Sequence, residues 1–202
     1  MAASYRHYYF IPQLSVLSYG QEPPISSPDF REKAAPMLDA GDASLMEEIS
    51  LGFPPEASGD GKPVRTGCDF VDGLREWEKS LRLNLARLRA SAAGREEDSL
   101  PEAPDWPSDA VEAAARAVGA ETPLEGEAVI DRARWDAVEA LQGGELFHRR
   151  TVFAYFAKLL ILERQASFQA EAGFSQYKSL YDSILGRWDG ESSGARSMGE
   201  SR

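Results

Sequence analysis

The segment Thr151–Gln165, TVFAYFAKLLILERQ, constrains this chain most. From Thr151 to Leu162 it runs through aromatic and aliphatic side chains, interrupted only by Lys158, and Glu163–Arg164 closes it. A helix apolar on nearly every side has to be surrounded by protein or by lipid. Crossing a bilayer core takes about 20 apolar residues, so this run is too short. Lys158 near its middle would add about 3 kcal/mol to an insertion. The expectation is a helix buried in a helical bundle, in a cytoplasmic protein with no membrane span.

Composition agrees with a globular fold. Of the 202 residues, 43% are hydrophobic and 27% charged, ordinary values for a protein with a buried core. The net charge of −11 speaks against nucleic acid as a main partner, because phosphate contacts need excess lysine and arginine. It favours solubility and a basic protein partner. Cys68 is the only cysteine, so no internal disulfide forms, as suits a reducing compartment. The N-terminus, MAASYRHYYFIPQLS, lacks the basic region and long apolar run of a secretory signal.

The rest of the pattern is helical. Ser27-Pro28 starts a short helix, Ser as N-cap and Pro at the first position, running to about Leu38 and kinked or ended near Pro36. A second short helix fits Ala43–Leu51, capped by Asp42. In Asp69–Ala93, the residues Phe70, Leu74, Trp77, Leu81, Leu85 and Leu88 recur at spacings of four and three, which puts them on one face. Ser108 is read as the cap of an Ala-rich helix to Val118. Thr122-Pro123-Leu124-Glu125 is a capping box. Its helix reaches about Gln142, with Leu124, Ala128, Trp135 and Val138 expected inside. The apolar helix is placed at Phe147–Ala172 and a last one at Ser175–Trp188. Tyr5–Leu17 is compatible with a short helix capped by Ser4 or with an extended segment packed on the bundle.

These readings give an all-α fold, an irregular bundle of about six to seven helices. Residues 1–53 form an N-terminal segment with short helices and 54–68 a linker. Residues 69–188 form the bundle, packed with the N-terminal part as one domain, and 189–202 a disordered tail. Gly94–Pro107, acidic and proline-bearing, is a further linker. The expected core is Trp77, Leu81, Trp135, Tyr155, Phe156, Leu159, Ile161 and Tyr181.

Chemistry finds little footing. Gly61-Lys62 is the only Gly-Lys, with Glu56 where a P-loop needs its first glycine and Pro63 after the lysine. His7, His148 and Cys68 are far apart and lack metal-ligand spacing. Cys68 before a helix has a catalytic reading as a nucleophile beside a histidine, weighed against a small core residue. Glu125, Glu127 and Asp131 suit the helix dipole at a first turn, and that suffices to explain them. No catalytic residue, cofactor or metal is assigned. Lys158 either threads its stem through apolar surroundings or pairs with a neighbouring helix through Glu127 or Asp131. The basic stripe Arg75, Lys79, Arg82, with Arg87 and Arg89 beyond it, is a solvated face or a contact surface for an acidic protein partner, with RNA or DNA a third reading weakened by the overall charge.

Four blocks in one order carry a family likeness: HYYFIPQLSVLSYGQEPPISSPDF, LREWEKSLRLNLARLR, TPLEGEAVIDRARWDAVEAL and VFAYFAKLLILERQ. The chain resembles, from about Tyr8 to Leu185, a bacterial family known as domain of unknown function 2764. Members of that family tend to be encoded among the subunits of V/A-type ATPases. The chain is also distantly similar to the C (d) subunit of those machines, an all-helical funnel joining the rotor stalk to the membrane ring. The resemblance implies a non-catalytic subunit or accessory factor, peripheral to the membrane through the ATPase complex. The alternative is a stand-alone helical adaptor using the Arg75–Arg89 face.

Overall fold

A computed structural model describes residues 3–52, 65–95 and 100–168. Two compact units divide the chain, Met1–Gln165 and Ala166–Arg202. The helix expected at Ser175–Trp188, with Tyr181, and the tail 189–202 lie outside the described residues. What is described is all-α, an irregular bundle of seven helices: α1 (Ala3–Phe10), α2 (Ser27–Ala34), α3 (Ala40–Glu47), α4 (Asp69–Ala92), α5 (Ser108–Val118), α6 (Pro123–Gln142) and α7 (Arg149–Ser167).

The apolar segment became α7, and the first unit surrounds it. Phe153, Phe156, Leu159 and Ile161 are all fully buried. Aromatic rings meet α7 from two sides. Phe70 of α4 lies 6.1 Å from Phe153, and Phe30 of α2 lies 6.0 Å from Phe156 and 5.0 Å from Tyr155. Each such ring withdrawn from water contributes about 1.5–3 kcal/mol. No helix among the described residues is long and apolar enough to cross a membrane.

Two apolar clusters share α4 and α6. The first gathers Phe30, Phe70, Leu74, Trp135 and the buried face of α7. The second holds Trp77, Leu81, Leu85, Ile130 and the alanine face of α5. Trp77 therefore packs under α5 and α6, and its indole N–H donates to Asp109 at 2.7 Å. Of the expected core, Trp77, Leu81, Trp135, Phe156, Leu159 and Ile161 are buried, whereas Tyr155 is half-buried.

Helix ends follow local chemistry, with several shifts from the sequence reading. Thr122 and Glu125 form the expected reciprocal box. The cap of α2 is Ser26, one residue earlier than expected, accepting from the Asp29 N–H. Either serine satisfies a first-turn donor, so sequence alone does not choose between them. Likewise α3 begins at Ala40 under Asp39, which accepts from the Asp42 N–H at 2.7 Å. Asp42 is thereby released for a buried role described below. Pro36 sits in a 3-10 turn, Ala35–Met37, that follows α2. Ser108 is the first residue of α5, and the cap, Pro107, supplies no side-chain bond. The long apolar helix is Arg149–Ser167 and starts two residues later than expected; its expected end at Ala172 lies outside the described residues.

Tyr5–Leu17 resolves into the helix α1, a 3-10 turn at Ile11–Gln13, and an extended exit at Leu14. Beyond it, the Gln21 N–H closes a turn on the Ser18 carbonyl at 3.2 Å, with Gly20 at φ 80° in its third position. Only glycine takes that conformation without penalty. The turn is held to α6, because the Tyr19 hydroxyl donates to the Ala128 carbonyl at 3.0 Å and Tyr19 meets Trp135 edge-on.

Leu124 and Ala128 are exposed, not internal. The reason is how closely α6 approaches α5. A Cβ on Gly126 would stand 2.8 Å from the Ala117 carbonyl oxygen. The helix therefore turns its small side, Gly126, Ala133 and Ala137, toward its neighbours, and Leu124, two residues from Gly126, is carried round to the solvent side.

Candidate functional site

The basic stripe of α4 is largely spent inside the molecule. Arg75 pairs with Glu48 just after α3. Arg82 donates to the Leu51 carbonyl and stands 3.4 Å from Glu78. Arg87 donates to the Pro101 carbonyl at 3.3 Å. Asn84, between them, donates to the Pro104 carbonyl at 3.0 Å. Together these side chains fasten two connecting segments onto the outside of α4. Lys79 and Arg89 are exposed, and Arg89 reaches Glu127 only at 3.8 Å.

A charged cluster lies where α4 passes from the first apolar cluster to the second. Glu78, Asp131 and Arg134 are 1%, 2% and 4% exposed. Arg134 spans both acids: Nε and Nη2 donate to Glu78 at 2.5 and 3.1 Å, and Nη1 to Asp131 at 3.0 Å. Arg164 of α7 then donates to Asp131 at 2.6 Å and to Glu127 at 2.5 Å. Burial pulls the Arg134 guanidinium down, but the bonds and charges of Glu78 and Asp131 outweigh it and raise its pKa. The cluster ties α4, α6 and α7 together. It leaves its groups saturated, which is what structure requires and proton transfer does not.

The lysine in the apolar helix has a different partner from those expected. Lys158 donates to Glu139 at 3.0 Å and lies over the Trp135 ring at 4.8 Å. Glu127 and Asp131 are engaged by Arg164 instead. The Lys158 hydrogen bond, opposed by partial burial, holds the Glu139 carboxyl below its usual range. Glu163 accepts from the Ser27 N–H at 2.5 Å, placing a carboxylate on the first turn of α2, where unpaired N–H groups and the helix dipole favour it.

Asp42, freed from capping, is buried and accepts from Arg149 at 3.1 Å, with the His7 ring nitrogen at 3.8 Å. Burial lowers the His7 pKa, and the attraction of Asp42 opposes that only in part. His148 is half-exposed at the α7 N-terminus, where its Nδ1 accepts from the Arg150 N–H at 3.3 Å. Cys68 is buried in the first apolar cluster. Among the described residues no group of three or more His, Cys, Asp or Glu is placed to hold a metal ion.

One surface stands apart. Tyr8, Tyr9 and Phe147 are 58%, 70% and 41% exposed, and Leu146 is also exposed. The Tyr8 ring lies 4.4 Å from that of Phe147 and 6.5 Å from that of Tyr9. Large apolar groups gathered on a surface mark contact sites, whereas single exposed ones carry no such meaning. The cluster stands on α1 and the loop before α7, and the His7–Asp42–Arg149 group braces both elements from within. Sequence reading noted the Tyr-Tyr pair but missed Phe147 as its neighbour, because nothing local links positions so far apart.

Comparison of the chain with family models, with curated proteins and with solved structures gives no match.

Proposed function

We propose that this chain is a non-catalytic subunit or accessory factor of a bacterial V/A-type ATPase, acting by protein contact in the manner of the C (d) subunit. The ATPase part of this reading rests on the family likeness of the four sequence blocks. The contact part rests on one observation, the exposed Tyr8–Tyr9–Phe147 cluster on a braced support. Aromatic rings are the usual anchors of protein interfaces, since they bury much area at small entropic cost. The chain would then act at the cytoplasmic face, peripheral to the membrane.

Tagged protein recovered from native membranes is expected to bring ATPase subunits with it. Phe147→Glu, with Tyr8→Ser, is expected to reduce that recovery by at least about tenfold, the loss of one anchoring contact. Unchanged recovery with both substitutions would remove the aromatic cluster from the proposal. Absence of every ATPase subunit would remove the ATPase. A second reading, the stand-alone adaptor for an acidic partner, has Lys79 and Arg89 exposed on α4 to work with. Reversing both charges tests it, because that partner alone should be lost.

A further inference from the structure

A pocket of about 400 Å³ opens between α2 and the segment that follows α1. That volume lies within the range of small-molecule sites, about 300–1,000 Å³. Phe10, Leu14, Ile25, Phe30 and Met37 make it apolar, and Lys33, Gln13, Ser15 and Tyr155 are the residues of its lining that carry polar side-chain groups. Two of these polar groups are unspent. Lys33 is exposed and forms no ion pair among the described residues, although its neighbour on α2, Arg31, has Glu47 at 3.4 Å. The Tyr155 hydroxyl has no hydrogen-bond partner among the described residues, and burial alone raises its pKa. Gln13, by contrast, already donates its amide to the Tyr9 carbonyl at 2.7 Å. An ammonium and a phenol, neither paired with a protein group among the described residues, therefore border an apolar hollow.

We infer that this pocket binds a small amphipathic carboxylic acid. Its aliphatic or aromatic body lies against Phe10, Ile25, Phe30 and Met37, and its carboxylate accepts from the Lys33 ammonium and the Tyr155 hydroxyl. A neutral ligand would use the apolar wall but leave the ammonium unmatched, and a cation would be repelled by it. Charge-assisted bonds of this kind are stronger than neutral ones, so the charge decides which ligand binds. The pocket is a site separate from the aromatic cluster, and its occupancy does not depend on the ATPase reading.

Calorimetric titration of the full chain with decanoate and with decanol tests this. Decanoate is expected to bind saturably with one site per chain, and decanol at least about tenfold more weakly, the difference a charge-assisted bond makes. Lys33→Glu, at an exposed position, should weaken decanoate by at least about tenfold and leave decanol unchanged. Tyr155→Phe, which keeps the ring and removes only the hydroxyl, should weaken decanoate by a few-fold. Far-UV circular dichroism checks that both variants keep their helix content. The inference is overturned if decanoate shows no saturable binding, if decanol binds as well, or if Lys33→Glu leaves decanoate affinity unchanged.

Discussion

Glu78 and Arg134 are charged side chains withdrawn almost wholly from water, and each depends on the other. Removing one partner of a buried pair leaves an uncompensated charge and costs about 3–5 kcal/mol, whereas replacing both with apolar groups is often neutral. Glu78→Leu is therefore expected to lower stability by about that amount. Adding Arg134→Met should restore most of it, because Asp131 keeps Arg164. Urea unfolding of the two single variants and the double variant measures the coupling directly. His7 makes a second prediction. Its pKa is lowered in the fold by burial, Asp42 notwithstanding. The folded chain thus binds fewer protons than the unfolded chain as pH falls through the ordinary value of 6.5, and stability falls with it until the folded-state pKa is passed. Asp39, His148 and Arg149 also act on this ring, so the comparison to make is with His7→Gln. That variant should lose the part of the slope below the ordinary value of 6.5 that the native ring supplies. An identical slope in the two proteins would show that His7 is not held neutral by burial.

The contact of α5 with α6 depends on an absent side chain. Gly126→Ala would drive a Cβ against the Ala117 carbonyl, a backbone atom that cannot move alone. The helices must separate, and overpacking of this kind costs about 1–3 kcal/mol. At Gly73 the nearest atom is Cδ2 of Leu141, 2.7 Å from the added Cβ but at the end of a flexible side chain. Gly73→Ala should therefore cost clearly less, and the two melting temperatures decide the order. Helices were legible in the sequence where their signals are local. The Thr122 box and the stripe from Phe70 to Leu85 lie within a few turns of chain, so chemistry and spacing identify them. The caps at Ser26 and Asp39 were missed because a second suitable residue stands close by in each case. Leu124 was misplaced because the rotation of α6 is set by its closest neighbour, Ala117, and not by its own periodicity.

Segments distant in sequence meet in the two buried charged groups, Glu78–Arg134–Asp131–Arg164 and His7–Asp42–Arg149. Glu78 is 56 residues from Arg134, and Asp42 is 107 from Arg149. No window of sequence contains such pairs, so a bundle was legible while its pairings were not. For the same reason the basic stripe of α4 reads as a face on paper. In the fold Arg75, Arg82 and Arg87 hold the segments that cross it. The aromatic cluster of α1 and the loop before α7 gathers large apolar groups on the surface, and the functional proposal places the partner there. Quantitative subunit analysis of the V/A-type ATPase, purified without a tag on this protein from cells that make it, tests that proposal most directly. The chain should be present in a fixed ratio to the other subunits, and that ratio should collapse when Phe147→Glu replaces the native protein. A complete, active ATPase holding no trace of this chain would contradict it.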